Sequence, residues 1–344
     1  MVKEKQKELS KEDSKMIQGL SVIAMVWLHL FCTLDYEGKF VPLLYFQGMP
    51  LSFYIAQLCD FCVFGFAFCS GYGHMAQYGA EGFYKRRLKG LLSVLCSYWC
   101  VLLVFSLISI LFGRGEKMPG DVITFLLTAG TLKSSYNGAW WYMFAYVVLT
   151  VLSPVILKCV NKFNPVIVLG IGFIVYCTAY YVRFYMPADN WFLEKYGPVG
   201  MTFFEYLIGA VCCRHQVFSK IYDRWIRFPK GVRCGCAAVL FIGMLYGHTK
   251  IIGSLFIAPA TGFIIITLFQ FWKKSSFMKR FFLFIGRHST NIWLMHMFFY
   301  VGWRGVYVAK YPLLIMLLMM VVTVSISFVF QMIEKPVQKV ISRI

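Results

Sequence analysis

The sequence predicts an all-α polytopic membrane protein with about ten transmembrane helices and with its N- and C-termini cytoplasmic. Apolar residues make up 59% of the 344 residues and charged residues only 14%. A soluble domain of this size cannot hide so much apolar surface, whereas lipid accepts it. Apolar stretches of about 17–23 residues recur along the chain, and this length crosses the hydrocarbon core as a helix. Basic segments separate many of these stretches, as expected of a chain that spans a membrane repeatedly.

The apolar stretches divide the chain into three parts. Residues 1–15 are expected to form a cytoplasmic N-terminal segment, residues 16–333 a single helix bundle, and residues 334–344 a cytoplasmic tail. The first apolar stretch lacks a small-residue cleavage site, so we expect it to remain as a helix and not to be removed as a signal peptide. The predicted spans are 16–33, 52–75, 88–112, 140–158, 166–185, 199–213, 232–248, 251–272, 281–301 and 311–333.

The net charge is +19, which in a soluble protein would point to nucleic acid. Here the placement of the charge favours a membrane protein, and we expect no nucleic-acid partner. Most Lys and Arg residues fall on the cytoplasmic side, as the positive-inside rule requires. Two basic cytoplasmic segments, 84–90 and 214–233, either anchor the chain to anionic membrane lipids or bind a phosphorylated cytosolic ligand. The Lys and Arg residues expected outside are Lys39, Arg114, Lys117, Lys133, Arg183, Lys195, Lys250, Arg304 and Lys310.

The twelve cysteines lie mostly inside apolar stretches, where cysteine behaves as a small hydrophobic residue. Cys234 and Cys236 are close in sequence, but they lack a second pair at the spacing of a zinc site. We therefore expect no metal and no required disulfide.

Four ionisable residues interrupt the predicted spans, namely His29, Asp60, Glu205 and His296. Such residues are costly in hydrocarbon and usually face a cavity that serves function. At about 1.5 Å per residue, all four fall in the outer half of the membrane and within about two helical turns of one another. Each is also compatible with a packing or interfacial role. A pairing of imidazole with carboxylate would suit general acid/base chemistry, since imidazole titrates near neutral pH.

Six segments combine into a recognisable pattern by their order and spacing. They are MIQGLSVIAMVWLH at 16–29, CVFGFAFCSGYGH at 62–74, YKRRLKGLLSVLCSYW at 84–99, WWYMFAYVVLTVLSPVI at 140–156, FIGRHSTNIWLMHMFF at 284–299 and EKP at 334–336. In this pattern the chain resembles acyltransferase family 3, integral membrane enzymes that O-acylate bacterial cell-surface glycans and related acceptors. The resemblance extends over essentially the whole chain.

The resemblance implies an acyl-CoA donor, commonly acetyl-CoA, that enters from the cytosol. Arg86 and Arg87 would hold the phosphates of the donor at the inner mouth. Ser70 and Tyr72 would shape the inner donor channel that leads to His29.

His29 would act either as a general base on an acceptor hydroxyl or as a nucleophile that carries the acyl group. Asp60 or Glu205 would orient an imidazole. The chain departs from the family at Gln18, where the family usually has an arginine eleven residues before the first-helix histidine. Either Lys15 or the Arg86 and Arg87 pair supplies the missing cation, or activity is altered or lost.

Trp140, Trp141 and Tyr142 are expected at the outer interface. They form either an aromatic belt in the membrane interface or a stacking platform for the sugar of an acceptor. The outer loop 113–139 is long enough to contribute to acceptor binding.

The leading hypothesis is a membrane-bound O-acyltransferase of the bacterial cytoplasmic membrane, acting on a cell-surface glycan or a glycolipid acceptor. A transporter or flippase of polar lipids or glycans would use the same buried charges to bind substrate or relay protons. A catalytically inactive family member is the third alternative, which the departure at Gln18 keeps open. The sequence leaves the acceptor and the oligomeric state undetermined, and a homo-oligomer is compatible with it.

Overall fold

The computed structural model describes residues 8–187, 189–250, 254–302 and 305–343, and these residues are almost entirely helical. Two short strands, β1 Tyr45–Phe46 and β2 Met49–Pro50, pair antiparallel just before α2. The helices are α1 Lys11–Phe31, α2 Leu51–Leu58, α3 Cys62–Met75, α4 Phe83–Leu111, α5 Val122–Ala129, α6 Trp141–Lys162, α7 Pro165–Tyr185, α8 Trp191–Arg214, α9 Val217–Trp225, α10 Lys230–Lys250, α11 Ala258–Phe271, α12 Ser276–Met297 and α13 Pro312–Arg343. Single turns of 3₁₀ or π-helix lie at Cys59–Phe61, Gly138–Trp140, Ser254–Phe256, Phe298–Gly302 and Gly305–Ala309. The all-α prediction is confirmed.

Within the described residues, seven helical segments are long and apolar enough to cross a membrane. They are Lys11–Phe31, Leu51–Met75, Phe83–Leu111, Gly138–Lys162, Pro165–Tyr185, Lys230–His248 and Pro312–Arg343. Each coincides with one of the ten predicted spans, so the multi-pass architecture is confirmed while the count of ten stays a prediction. Arg304 and residues 1–7 lie outside the described residues, as do residues 251–253, the start of the eighth predicted span.

The three remaining predicted spans correspond to α8, α11 and α12. The helix α11 is short, whereas α8 and α12 are long but carry many polar residues. Those polar residues are tolerated because both helices are interior: α8 packs against α3, α6 and α7, and α12 packs against α1, α4 and α13. The helices that face lipid are therefore mainly others, such as α4, α7 and α13, which expose large apolar side chains along their outer faces.

Closely packed glycines bring the interior helices together. At the crossing of α1 and α12, a Cβ on Gly19 would lie 3.0 Å from the backbone nitrogen of Gly286, and a Cβ on Gly286 would overlap the Lys15 carbonyl oxygen. Gly71 and Gly209 play the same part between α3 and α8, because a Cβ on either would overlap a backbone carbonyl of the facing helix. Small residues at such crossings let helix backbones approach inside a membrane. These two crossings position the helices that carry the predicted site residues.

The N-terminal end of α1 is fixed by local and long-range hydrogen bonds. Ser10 and Asp13 form a capping box, in which each side chain accepts from the backbone N–H of the other. Glu8 accepts from the Tyr72 hydroxyl at 2.6 Å and from the backbone nitrogen of Ser219 at 3.0 Å. The segment that precedes α1 is thereby tied to the ends of α3 and α9.

Two boundaries differ from the sequence prediction. The predicted span 52–75 is interrupted by a 3₁₀ turn at Cys59–Phe61, so α2 and α3 are separate helices with Asp60 at the break. The predicted tail is helical as well, since α13 continues through Pro336 to Arg343. A mid-membrane break in a helix is tolerated where the freed backbone is buried in protein or lines a cavity.

Candidate functional site

A cavity of about 310 Å³ lies inside the bundle. Along α1 it extends from Gln18 to His29, which are eleven residues and therefore about 16 Å apart on the helix axis. This volume is at the lower end of the range for small-molecule sites. The lining residues are Gln18, Met25, Leu28, His29, Asp60, Cys62, Val63, Phe66, Ser70, Val94, Ala139, Trp141, Tyr142, Tyr146, Arg183, Met201, Thr202, Glu205, Leu255, Ala258, Ser289, Thr290 and Trp293.

His29 and His296 form a direct pair between α1 and α12. The Nδ1 atom of His29 lies 2.6 Å from Nε2 of His296, and the two rings are nearly parallel, at 4°. The other ring nitrogen of His296, Nδ1, lies 2.8 Å from the Trp293 carbonyl oxygen. His296 is fully buried, and His29 lines the cavity.

These contacts define the protonation of both rings. A carbonyl oxygen only accepts, so Nδ1 of His296 carries a hydrogen, and in the neutral ring Nε2 of His296 is then an acceptor. His29 must therefore donate its Nδ1–H to that acceptor. The remaining nitrogen of His29, Nε2, keeps its lone pair, which is the state of a base or a nucleophile.

The partner of His29 is thus an imidazole and neither of the two predicted carboxylates. Asp60, in the 3₁₀ turn before α3, faces a different histidine: its Oδ2 lies 3.6 Å from Nδ1 of His248 on α10. The Nε2 atom of His248 lies 3.1 Å from the Thr261 hydroxyl. His248 is the last residue of a predicted span, so its position at the end of an apolar stretch was the available signal.

Glu205 on α8 lines the same cavity but does not contact either histidine of the pair. It is buried, and its Oε2 accepts no hydrogen bond from the described residues. Arg183 on α7 also lines the cavity and attracts Glu205 electrostatically, although no ion pair within 4.0 Å joins them in the described part of the chain. The Arg183 guanidinium lies over the Trp141 ring at 4.8 Å, a cation–π contact. The cavity therefore offers both an acceptor and a cation to a polar ligand.

Gln18 and Ser70 also line the wall of the cavity. The Lys15 ammonium donates to Oε1 of Gln18 at 3.0 Å. The Lys15 side chain, one helical turn earlier on α1, therefore places a positive charge next to Gln18. Of the alternatives for the missing cation, Lys15 has the supporting contact.

Arg86, Arg87 and Tyr72 do not line this cavity. Arg86 donates to the Glu81 carbonyl oxygen, and Arg87 donates to the Gln77 side chain at 2.6 Å, so both guanidinium groups bind the loop that precedes α4. Tyr72 is buried and binds Glu8. The structure therefore gives all three residues local partners outside the cavity.

The three neighbouring aromatic residues have different surroundings. Trp140 is buried and donates to the Leu294 carbonyl oxygen at 2.8 Å, so it joins α6 to α12 and is not part of an interfacial belt. Trp141 and Tyr142 line the cavity, as a ligand-stacking role requires. Trp293 also lines the cavity, and sequence reasoning missed it although Ser289, Trp293 and His296 recur at the spacing of one helix face.

Lys274 lies buried between α11 and α12 and outside the spanning segments. Its ammonium donates to the carbonyl oxygens of Phe269 and Trp272 and lies 4.0 Å from the centroid of the Phe269 ring. Burial lowers the pKa of Lys274 to about 8, because desolvation disfavours the charged form, while Asp13 acts in the opposite direction. This lysine caps the C-terminal end of α11.

No group of three or more His, Cys, Asp or Glu residues arranged to hold a metal occurs among the described residues. All twelve cysteines are unpaired. The charged and histidine side chains that line the cavity are His29, Asp60, Arg183 and Glu205.

A comparison with protein families agrees with this geometry. The model of a family described as an acyltransferase domain matches residues 14–332, nearly the whole chain. Neither the curated proteins nor the solved structures contained a match. A multi-pass helix bundle and an acid/base pair that faces an internal cavity are both consistent with acyl transfer inside a membrane. The chain belongs to acyltransferase family 3, and it is a membrane acyltransferase that transfers groups other than aminoacyl groups.

Proposed function

We propose that the chain is an O-acyltransferase of the bacterial cytoplasmic membrane. It moves an acyl group, in the first instance acetyl, from cytosolic acyl-CoA to a hydroxyl group of a cell-surface glycan or a lipid-linked precursor. The observation that carries this proposal is the free Nε2 of His29, which faces a cavity that begins near the inner end of α1.

The proposed reaction uses His29 as a general base. Its Nε2 takes the proton of the acceptor hydroxyl while the acceptor oxygen attacks the thioester carbonyl, and the carbon–sulfur bond then breaks. The imidazolium that forms returns its proton to the sulfur of CoA, so the proton is conserved. During this step the neutral Nε2 of His296 accepts from Nδ1–H of His29 and stabilises the positive ring.

The two halves of the cavity suit the two substrates. Gln18, Ser70 and the nearby Lys15 ammonium lie along the side where the acyl-CoA chain would enter. Trp141 and Glu205 line the same cavity, and their aromatic face and buried acceptor suit a sugar with hydroxyl donors. A hydroxyl bound to them would share this cavity with His29.

The proposal is tested with the protein purified into lipid nanodiscs and supplied with radiolabelled acetyl-CoA. The wild type should release CoA and label a glycan extract from cells that lack this protein, whereas His29→Ala should lose both activities. His215→Ala is the matched control, because His215 lies in the turn between α8 and α9 and does not line the cavity. Wild-type acyl transfer retained by His29→Ala would refute the role of His29. Movement of a substrate across the bilayer without CoA release would favour the transporter alternative.

A further inference from the structure

A second cavity, of about 320 Å³, lies between α4, α12 and α13. Its wall is polar on each of the three helices, with Ser93 and Ser97 from α4, Arg287 and Asn291 from α12, and Glu334 and Lys335 from α13. It lies toward the end of the bundle where Lys89 on α4 binds the Ser342 carbonyl oxygen, which is the cytoplasmic end in the predicted topology. A groove built only to contact lipid tails would be apolar.

Glu334 gives this cavity a specific requirement for a ligand. The residue is 6% exposed, and its Oε2 accepts from the Ser97 hydroxyl at 2.6 Å. Its other carboxylate oxygen, Oε1, is buried and has no hydrogen-bond donor within 3.5 Å among the described residues, and the nearest polar neighbour of the carboxyl group besides Ser97 is the Asn291 amide, which lines the same cavity. A buried acceptor without a donor is costly, so a ligand hydroxyl or amino group at this place would remove a penalty as well as gain a contact.

Two cations line the same cavity as this carboxylate. Arg287 and Lys335 line the same cavity and are both exposed. Arginine binds phosphate through two parallel hydrogen bonds, and lysine binds it as a point charge. The combination of cations with an acceptor that lacks a donor fits a ligand that has both phosphates and hydroxyl or amino groups. A nucleotide is such a ligand, and acidic side chains bind ribose hydroxyls in dinucleotide sites.

The second cavity adjoins the first. Val94 on α4 and Thr290 on α12 contribute to the walls of both. A molecule with its head group in the second cavity therefore has only one layer of side chains between that head group and the route to His29.

We propose that the second cavity binds the nucleotide part of the acyl-CoA donor, with Arg287 and Lys335 on the phosphates and Glu334 Oε1 on a ribose hydroxyl or the adenine amino group. This inference rests on the proposed function, because it names where that donor is held. It replaces Arg86 and Arg87 as the phosphate ligands, and those two residues already bind Glu81 and Gln77. The pantetheine arm would pass beside Val94 and Thr290 into the first cavity.

The test uses 3′,5′-ADP, the nucleotide part of CoA without its arm, as a probe that binds without any acyl transfer. Wild-type protein in nanodiscs should bind 3′,5′-ADP, and the probe should compete with acetyl-CoA. The double variant Arg287→Met/Lys335→Met should raise the KM for acetyl-CoA by about tenfold or more, as expected for the loss of charged hydrogen bonds, with kcat within about twofold. Lys339→Met, one turn further along α13 and exposed, should leave both constants unchanged.

Glu334→Gln, which keeps the size of the side chain, gives a second test if the double variant fails to fold. It should weaken binding of 3′,5′-ADP while the variant keeps the thermal stability of the wild type. A wild type that turns over acetyl-CoA but binds no 3′,5′-ADP, or variants with an unchanged KM, would overturn this site and leave the proposed function intact. If the variants lose bound phosphatidylglycerol but bind 3′,5′-ADP as well as the wild type does, the nucleotide assignment is overturned and the second cavity is a lipid-headgroup site. A wild type that neither binds nor consumes acetyl-CoA would instead refute the proposed function.

Discussion

Gly19 on α1 and Gly286 on α12 meet where their two helices run closest, and each lies ten residues before the histidine that its helix contributes to the pair. A side chain at Gly286 would overlap the Lys15 carbonyl oxygen. Since the helices are rigid over that distance, a displacement at the glycine contact shifts His29 relative to His296.

Gly286→Ala should therefore destabilise the protein by about 1–3 kcal/mol and reduce acyl transfer, because overpacking at this crossing forces the helices apart. The measurement is the apparent Tm in detergent together with CoA release from acetyl-CoA. Gly170→Ala on α7 is the matched control, because a Cβ there meets nothing within 4 Å. Equal Tm values and rates for both variants would contradict a close contact between α1 and α12.

If His296 acts as a hydrogen-bond acceptor, two substitutions at this position should differ in their effect on the rate. His296→Gln retains an oxygen that can accept from Nδ1–H of His29, whereas His296→Leu does not. We expect His296→Leu to lower kcat by about 10²–10⁴, which is the usual contribution of a positioned base, and His296→Gln to lower it less. Steady-state rates with acetyl-CoA as donor check this order. A reversed order would mean that His296 acts through packing alone.

Lys15 should supply the cation that the family places at residue 18. Lys15→Met is expected to raise the KM for acyl-CoA about tenfold, in line with the loss of one charged hydrogen bond. Adding Gln18→Arg to Lys15→Met should restore the KM, because the guanidinium would return the positive charge to the same wall. Lys11→Met, exposed on the first turn of α1, is the control. Should Gln18→Arg raise activity in the wild type, the departure at Gln18 would be a weakness that Lys15 does not offset.

Glu205 should act on the acceptor and not on the donor. Glu205→Gln is expected to slow transfer to the glycan by about tenfold or more while CoA release to water changes little, since its Oε2 awaits a donor from a ligand. The two rates are compared in one preparation by counting labelled glycan and free CoA. Parallel loss of both rates would place Glu205 in the chemical step shared by the two reactions.

Lys274 should make stability depend on pH in the alkaline range. Its pKa is lowered from 10.5 to about 8 in the folded chain, so between these values the unfolded chain binds more protons and stability rises with pH. Lys274→Met removes the cost of burying the charged ammonium. Relative to the wild type, the variant should therefore be more stable at pH 7.5 than at pH 9.5. The readout is the difference in apparent Tm between variant and wild type at the two pH values, with the exposed Lys273→Met as the control. A difference that does not change with pH would refute the lowered pKa.

The sequence was sufficient to predict a helical, multi-pass architecture, because lipid sets a simple requirement on the length and composition of each spanning helix. The sequence was less informative for α8 and α12. Their polar residues face protein and lower the mean hydropathy of both helices, although the helices lie within the bundle. It also identified His29 and His296 by the cost of an ionisable group in hydrocarbon.

Depth along a helix, however, does not specify rotation about it, and rotation decides which side chains meet. The sequence therefore paired imidazole with carboxylate, while the structure pairs His29 with His296 and Asp60 with His248. Trp293 was missed for a similar reason, because an aromatic residue in an apolar stretch looks like packing. The Lys15 contact with Gln18 was accessible from their three-residue spacing on one helix face.

The interior position of α12 has a consequence for the biogenesis of the protein. α1 leaves the ribosome well before its main partner α12, because most of the other helices lie between them in the chain. Until α12 emerges, the glycine face of α1 lacks that neighbour, and the polar groups of α12 are costly in lipid without a protein partner. The His29–His296 pair therefore forms only after α12 inserts and joins α1.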